Sequence, residues 1–229
     1  MSKLRCLAWV LSLAVATFGC AASEVVAPTE TSDSQLALGD PHLTTARWEV
    51  QETGFWCGPA ATRMALSALM ASPPSQATLA RELGTTTAGT DWIGQITTVL
   101  NARIAPDRYK TIEMPNDPPT AEQKRRLWAD IVESIDRNHP VVTNIVAPPW
   151  NHPPGYPDRW VYHYFTVAGY DATSNQVYIL DSANFSGRGK YWLSFNQLAT
   201  LIPPKGYAAL RAEPAPPLPP SPGAPAGDE

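Results

Sequence analysis

Apolar residues recur every three or four positions in the first half of the chain, as they do on one face of a helix. Gly58-Pro59 precedes an apolar run at 60–70. Proline favours the first helical turn because the backbone N–H that it lacks would be unpaired there. Thr120 and the glutamine three residues later have the spacing of a capping box. The pattern predicts four helices, which begin near residue 58, cover 75–83, begin near Asp91, and run from Thr120 to about Asn138.

After Pro140 the apolar residues alternate with polar ones, which is typical of strands. Turn signals separate four such segments, at 140–147, 161–170, 176–181 and 190–195. Helices followed by antiparallel strands predict an α+β fold, in which the two layers are segregated and a cleft lies where they meet. The loop 148–160 contains five prolines. We expect it to be stiff and its aromatic residues to line the rim of the cleft.

The first 20 residues have the layout of a secretory signal, with two basic residues ahead of an apolar run. This run is too short for a transmembrane helix. Small residues before Cys20 favour a lipoprotein cleavage site, after which a lipid on Cys20 would anchor the protein to a membrane. Cleavage after residue 21 or 22 is the alternative and would give a soluble product. We therefore expect an exported protein, either on the cell surface or secreted.

Composition divides the remainder into three parts. Residues 21–45 are rich in Ala, Ser and Thr and are predicted to be a flexible tether. Residues 46–210 have the length and the apolar content of one domain with a core of its own, and we expect it to be a monomer. The proline-rich segment 211–229 is predicted to be a disordered or polyproline-like tail.

Charge and cysteine usage narrow the function. The formal net charge is −4 and the chain has no basic run, which argues against a nucleic-acid partner. Four scattered histidines lack the spacing of a metal site, so we expect no metal and no cofactor. Of three cysteines, Cys6 leaves with the signal and Cys20 is either lipidated or removed. Cys57 is then the one remaining thiol, so it is either inert and buried or a nucleophile.

The placement of Cys57 favours the nucleophile, because a helix N-terminus stabilises a thiolate. A thiolate that attacks a carbonyl also needs a base and a group that orients the base. His163 lies in the predicted strand 161–170, and Asp181 ends the next one. A three- or five-residue hairpin turn puts the two side chains on one face, whereas a two- or four-residue turn without a bulge separates them.

Gln51, six residues before Cys57, is a candidate for the oxyanion hole, where its side-chain amide would join the backbone N–H of Cys57. His152 in the proline-rich loop is the rival base. Trp56 beside the thiol is predicted either to contact substrate or to fill the core.

Three stretches together resemble papain-superfamily cysteine peptidases related to the enzymes that process bacteriocin leaders at a double glycine. They are Gln51-Glu-Thr-Gly-Phe-Trp-Cys57-Gly-Pro-Ala60, His163-Tyr-Phe-Thr-Val-Ala-Gly-Tyr-Asp171 and Val177-Tyr-Ile-Leu-Asp181. The resemblance covers most of residues 46–210. It implies a papain-like fold, a Cys57/His163/Asp181 triad with Gln51 at the oxyanion hole, and a peptide or protein substrate.

Two features depart from that family. Leader-processing enzymes are parts of ATP-driven exporters, and the chain has neither a Walker A motif nor a spanning segment, so we expect a different task. Ser182 also follows Asp181 where many relatives have proline. Two alternatives stay open: a papain-like acyltransferase of the transglutaminase type, and a surface module that binds peptides without catalysis.

Overall fold

The computed structural model describes residues 40–211. The predicted signal 1–20, most of the predicted tether and all of the predicted tail except Arg211 lie outside the described residues. No helix among residues 40–211 is long and apolar enough to cross a membrane.

Residues 40–211 contain five α-helices and one short 3₁₀ helix (Phe185–Gly187), and two of the α-helices start as their capping residues predict. The Ser75 hydroxyl accepts from the Thr78 N–H at 3.2 Å. Thr120 and Gln123 form a reciprocal capping box. These side chains satisfy amide groups that a helix N-terminus otherwise leaves unpaired. The helices are α1 (Cys57–Ser67), α2 (Gln76–Glu82), α3 (Ile93–Arg103), α4 (Ala121–Asp136) and α5 (Phe195–Leu201).

Seven strands form one antiparallel sheet. They are β1 (His42–Leu43), β2 (Tyr109–Glu113), β3 (Val141–Ala147), β4 (Val161–Asp171), β5 (Gln176–Leu180), β6 (Lys190–Ser194) and β7 (Gly206–Leu210). The order is β2-β7-β3-β4-β5-β6, and β1 pairs with β4. Helices together with this sheet confirm the predicted α+β fold class.

The helices lie on both faces of the sheet, so the prediction of two segregated layers is wrong in this respect. Helices α1, α2 and α3 pack on one face in a cluster that includes Met64 and Leu79. Helices α4 and α5 pack on the other face with Ile131 and Leu198. Cys57 at the start of α1 and His163 near the start of β4 place the candidate site where these two elements meet.

The hairpin of β4 and β5 has the four-residue turn 172–175. Such a turn alone would put His163 and Asp181 on opposite faces. The register shifts by one residue at Ala168, which is an extra residue on β4. This β-bulge returns the two side chains to the same face.

Four elements differ from the sequence prediction. Strand β1 lies within the part predicted as tether, and it approaches β4 so closely that a Cβ on Gly169 would meet Leu43 Cδ2 at 2.4 Å. Strands β2 and β7 were not predicted. Helix α5 begins at Phe195, which the alternation assigned to a strand, because the Ser194 hydroxyl accepts from the Gln197 N–H at 3.2 Å and caps the helix.

Candidate active site

Cys57 is the first residue of α1, the position that the Gly58-Pro59 pair predicts. The helix is almost entirely buried, so its start is fixed by the core. The hydroxyl of Thr166 on β4 donates to the Ala61 carbonyl of α1 at 3.0 Å. This bond ties the helix that carries Cys57 to the strand that carries His163.

His163 and Asp181 form a buried pair. His163 Nε2 lies 2.8 Å from Asp181 Oδ1, and the two side chains are 4% and 0% exposed. Burial works against a charge on the imidazole, but the charge of Asp181 and the hydrogen bond to it raise the pKa of His163 to about 10. The imidazole is therefore stabilised in its protonated form.

Cys57 contacts the same imidazole. Because Nε2 faces Asp181, Nδ1 is the nitrogen left for the hydrogen bond between His163 and the Cys57 thiol. Burial alone would raise the pKa of this thiol. The hydrogen bond and charge of His163, with backbone hydrogen bonds from Tyr164 and Gly58, instead lower the pKa of Cys57 below its ordinary value. Thiolate and imidazolium stabilise each other.

Two tyrosines hold the second oxygen of the carboxylate. The hydroxyls of Tyr156 and Tyr191 donate to Asp181 Oδ2 at 2.7 and 2.8 Å. The Ala183 N–H donates to Oδ1 at 3.0 Å. Burial pulls the pKa of Asp181 upward, yet the charge and hydrogen bond of His163 and the two phenol donors lower it below its ordinary value. Asp181 is thus an ionised carboxylate, and protein groups form hydrogen bonds with both of its oxygens.

Gln51 contacts Ser182, the residue that follows Asp181. Its Oε1 accepts from the Ser182 hydroxyl at 3.1 Å, and its Nε2 donates to the Thr53 carbonyl at 2.8 Å. An amide NH₂ has two hydrogens, so a second donor remains. Gln51 lines one cavity of about 480 Å³ and Cys57 another of about 200 Å³.

The cavity at Cys57 is small and largely polar. Its lining comes from the loop before α3 and from strands β3 and β4, with Thr90, Asp91, Asn144 and Tyr164 among its residues. Gly58 permits the loop to approach the helix, because a Cβ there would meet Thr90 Oγ1 at 2.2 Å. A substrate chain that reaches the thiol must pass this narrow, polar space.

The other histidines lie away from this arrangement. His152, the rival base, is hydrogen bonded through Nδ1 to the Pro153 carbonyl at 3.1 Å. His42 pairs with Asp136 at 2.7 Å on the surface. Trp56 is half-buried and packs edge-on against Phe55. Within residues 40–211 no group of three or more His, Cys, Asp or Glu side chains is arranged to hold a metal ion.

Sequence reasoning missed the two tyrosines. Tyr156 comes from the loop 148–160, which was expected to line a rim, and Tyr191 comes from β6. A signal for Tyr191 existed, because β6 pairs with β5 and every second residue of β6 faces the side of the sheet that contains Val177 and Ile179. This alternation identifies Tyr191 only once β6 is known to pair with β5, and the sequence does not specify that pairing.

The arrangement has the parts that acyl chemistry needs. A thiolate at a helix N-terminus can attack a carbonyl carbon, and an imidazolium beside it can protonate a leaving group. A buried carboxylate fixes the orientation of that imidazole. The geometry accordingly suits the cleavage of an amide or ester bond.

A family model matches residues 43–207, most of the chain and nearly all of its described part. It is the model of the Peptidase_C39-like family. The chain belongs to the Peptidase_C39-like family. As a member, it is a cysteine-type peptidase. Among the curated proteins, no relative matches this Peptidase_C39-like chain.

Several solved structures are similar to this Peptidase_C39-like protein. A protein from Bacillus anthracis described as a C39-like peptidase is 11% identical, with a TM-score of 0.52 over 77% of this chain and 100% of that one. The peptidase domain of Streptococcus ComA, a bi-functional ABC transporter, is 17% identical, with a TM-score of 0.46 over 72% and 99%. Xylellain, a cysteine protease from Xylella fastidiosa, is 14% identical, with a TM-score of 0.45 over 77% and 88%.

Proposed function

We propose that the protein hydrolyses peptide bonds with Cys57 as the nucleophile, His163 as the base and acid, and Asp181 as the residue that orients His163. The observation that carries this proposal is the use of both imidazole nitrogens, Nε2 by Asp181 and the other by the thiol. A base held between an acid and a nucleophile can accept and return a proton without reorienting.

The reaction would proceed in two stages. The Cys57 thiolate adds to the carbonyl carbon, and the C–N bond breaks as the His163 imidazolium gives its proton to the departing amine. The resulting thioester is then attacked by water, whose proton passes to His163, and the carboxylic acid leaves. Each stage forms an oxyanion, for which the backbone N–H of Cys57 and the second amide hydrogen of Gln51 are our candidate donors.

We also propose that the protein is exported and held at a membrane by a lipid on Cys20. The support is the layout of residues 1–20. Incorporation of labelled palmitate into the full chain, and its loss in Cys20→Ala, is the expected result. Release of unlabelled protein into the medium would contradict the anchor.

The rate of Cys57 alkylation by iodoacetamide against pH tests the mechanism. The lowered pKa of the Cys57 thiol predicts fast labelling well below the ordinary thiol pKa of about 8.5. The variant His163→Ala loses the imidazolium, so its labelling at pH 6 should be at least about tenfold slower. Labelling that follows a free thiol in both proteins would refute the ion pair.

Product analysis separates hydrolysis from acyl transfer. A peptide library digested by the protein should yield shortened peptides, and Cys57→Ala should yield none while it remains folded by circular dichroism. Products that contain an added amine would indicate an acyltransferase. Cleavage by Cys57→Ala would rule out the proposed nucleophile.

A further inference from the structure

A third cavity, different from the one that Gln51 lines but also of about 480 Å³, opens beside the one at Cys57. Its walls come from the end of β3, the loop 148–160, the start of β4 and the turn after α5. Three aromatic side chains line it and are exposed: Trp150 at 76%, Trp160 at 50% and Tyr162 at 67%. We name this cavity the aromatic groove.

The groove is held in shape by its own contacts. The rings of Trp150 and Trp160 lie 5.2 Å apart at 90°, an edge-to-face pair. Between them in sequence, Asn151 Nδ2 donates to the Thr200 hydroxyl at 3.0 Å, and Asn151 Oδ1 accepts from Gln197 at 3.3 Å. These bonds attach the loop to α5. A ligand would therefore meet a largely preformed surface.

The chemistry of the groove suits a polyproline II segment. Such a segment has no internal hydrogen bonds, and its prolines pack well between flat aromatic rings. Indole N–H and phenol O–H groups are donors for its free carbonyls. The composition of residues 213–225 favours such a segment, because seven of these thirteen residues are proline.

We propose that residues 219–225 of this chain dock in its own aromatic groove. Strand β7 starts next to Lys205, which lines the groove, and ends at Leu210. Arg211 continues the line of the strand, because its N–H donates to the Arg108 carbonyl at 2.8 Å, so it lies about 20 Å from the groove. A polyproline II segment of residues 212–218 would span about 22 Å, which is enough to return to it.

Docking there would affect the cavity at Cys57, a consequence that rests on the proposed function. Tyr162 and Lys205 line both cavities. Lys205 Nζ lies 6.0 Å from the centre of the Tyr162 ring, so the two side chains form a shared wall. A segment bound against this wall would obstruct the path of a substrate from the groove to the thiol. The tail would then act as a built-in competitor.

Peptide binding tests the docking without any use of catalysis. A fluorescent peptide of residues 213–225 is titrated into the full chain and into a chain that stops after residue 212, which retains every described element. The peptide should bind the shortened chain and bind the full chain at least about tenfold more weakly, since the tail competes at high effective concentration. Equal affinity for the two chains, or no binding to the shortened one, would overturn the proposal.

Substitutions locate the binding surface. In the shortened chain, Trp150→Ala and Trp160→Ala should each weaken binding at least about tenfold, because buried aromatic anchors dominate such interfaces. Trp92→Ala is the matched control, since Trp92 is also exposed but does not line the groove. A peptide with serine for each proline should not bind. Equal effects of Trp92→Ala and Trp160→Ala would place the peptide elsewhere and overturn the assignment.

Two further measurements complete the test. Sedimentation of the full chain should show no concentration-dependent association, because association through the tail would make a second copy the occupant and overturn docking within one chain. Alkylation of Cys57 should be several-fold faster in the shortened chain. Equal alkylation rates would overturn the obstruction of the cavity, while peptide binding would still decide the docking.

Discussion

The Tyr156 hydroxyl donates a 2.7 Å hydrogen bond to Asp181 Oδ2, the carboxylate oxygen that His163 does not contact. Tyr191 donates to the same oxygen at 2.8 Å. A carboxylate that is bound on both oxygens cannot rotate away from the imidazole. The orientation of His163 is therefore set by two phenols as well as by the acid.

Tyr156→Phe should lower kcat/KM by about tenfold, because a hydrogen bond to a charged group contributes roughly 1.5–3 kcal/mol. Loss of a donor also raises the pKa of Asp181, so the acid limb of the pH–rate profile should move to higher pH. Tyr191→Phe should act in the same way. The measurement is kcat/KM on a cleaved peptide from pH 4 to 9.

Tyr207→Phe is the matched control, because the Tyr207 hydroxyl donates to Asp130 Oδ2 at 2.8 Å and Tyr207 packs on the face of the sheet opposite Cys57. This variant should lose stability but keep the pH–rate profile. An unshifted profile in Tyr156→Phe and Tyr191→Phe would show that these phenols only stabilise the fold.

The stability of Tyr156→Phe should depend on pH with a definite sign. The pKa of Asp181 is lowered in the folded protein, so the stabilisation is present above the unfolded pKa of about 3.9 and is lost as pH falls through the folded pKa. The variant should be less stable than the parent by about 1–2 kcal/mol at pH 7. Urea unfolding at pH 7 and pH 3 should show the difference shrinking in acid, and a constant difference would contradict the argument.

Asp181→Asn should slow alkylation of Cys57 at pH 6 at least about tenfold. The charge of Asp181 raises the pKa of His163, so its removal lowers the imidazolium population that stabilises the thiolate. Asp136→Asn provides the control, because Asp136 pairs with His42 in a second His–Asp contact on the surface. Equal rates in Asp181→Asn and the parent protein would show that the carboxylate does not tune the thiol.

Gly58→Ala should destabilise the protein by about 1–3 kcal/mol, because its Cβ would meet Thr90 Oγ1 at 2.2 Å and Thr90 Cβ at 2.8 Å. Adding Thr90→Ala removes the first clash but not the second, so it should restore only part of the loss. Gly54→Ala has nothing within 4 Å and should change stability by less than about 0.5 kcal/mol. Thermal unfolding of the parent protein, the two single variants and the double variant measures these differences in stability.

The hairpin of β4 and β5 shows what sequence could and could not predict. Alternation located both strands, and the turn signals located the turn within a residue or two. Whether His163 met Asp181 depended on turn length and on a bulge. Ala168 carries no special signal for a bulge, since its placement depends on how β4 packs between neighbouring strands.

Strand β7 and helix α5 were not predicted, for related reasons. Every residue of β7 is buried, so its sequence does not alternate. Helix α5 did have a local signal, because Ser194 and Gln197 have the spacing of a helix cap, but the preceding alternation was extended through Phe195. The contact of Tyr191 with Asp181 could not be predicted without knowing that β6 pairs with β5. Local chemistry thus selected Cys57, His163 and Asp181 as candidates, but it did not identify the tyrosines that contact Asp181.

The loop 148–160 both lines the aromatic groove and supplies a hydrogen bond to Asp181. Trp150 and Trp160 stand at its ends in the aromatic groove, and Tyr156 between them reaches Asp181. Loops usually vary in length and sequence among related enzymes. In this loop, however, an insertion that displaced Tyr156 would remove its hydrogen bond to Asp181. New specificity at this rim is therefore expected to arise by exchange of side chains at fixed loop length, which is a practical rule for anyone who engineers the protein.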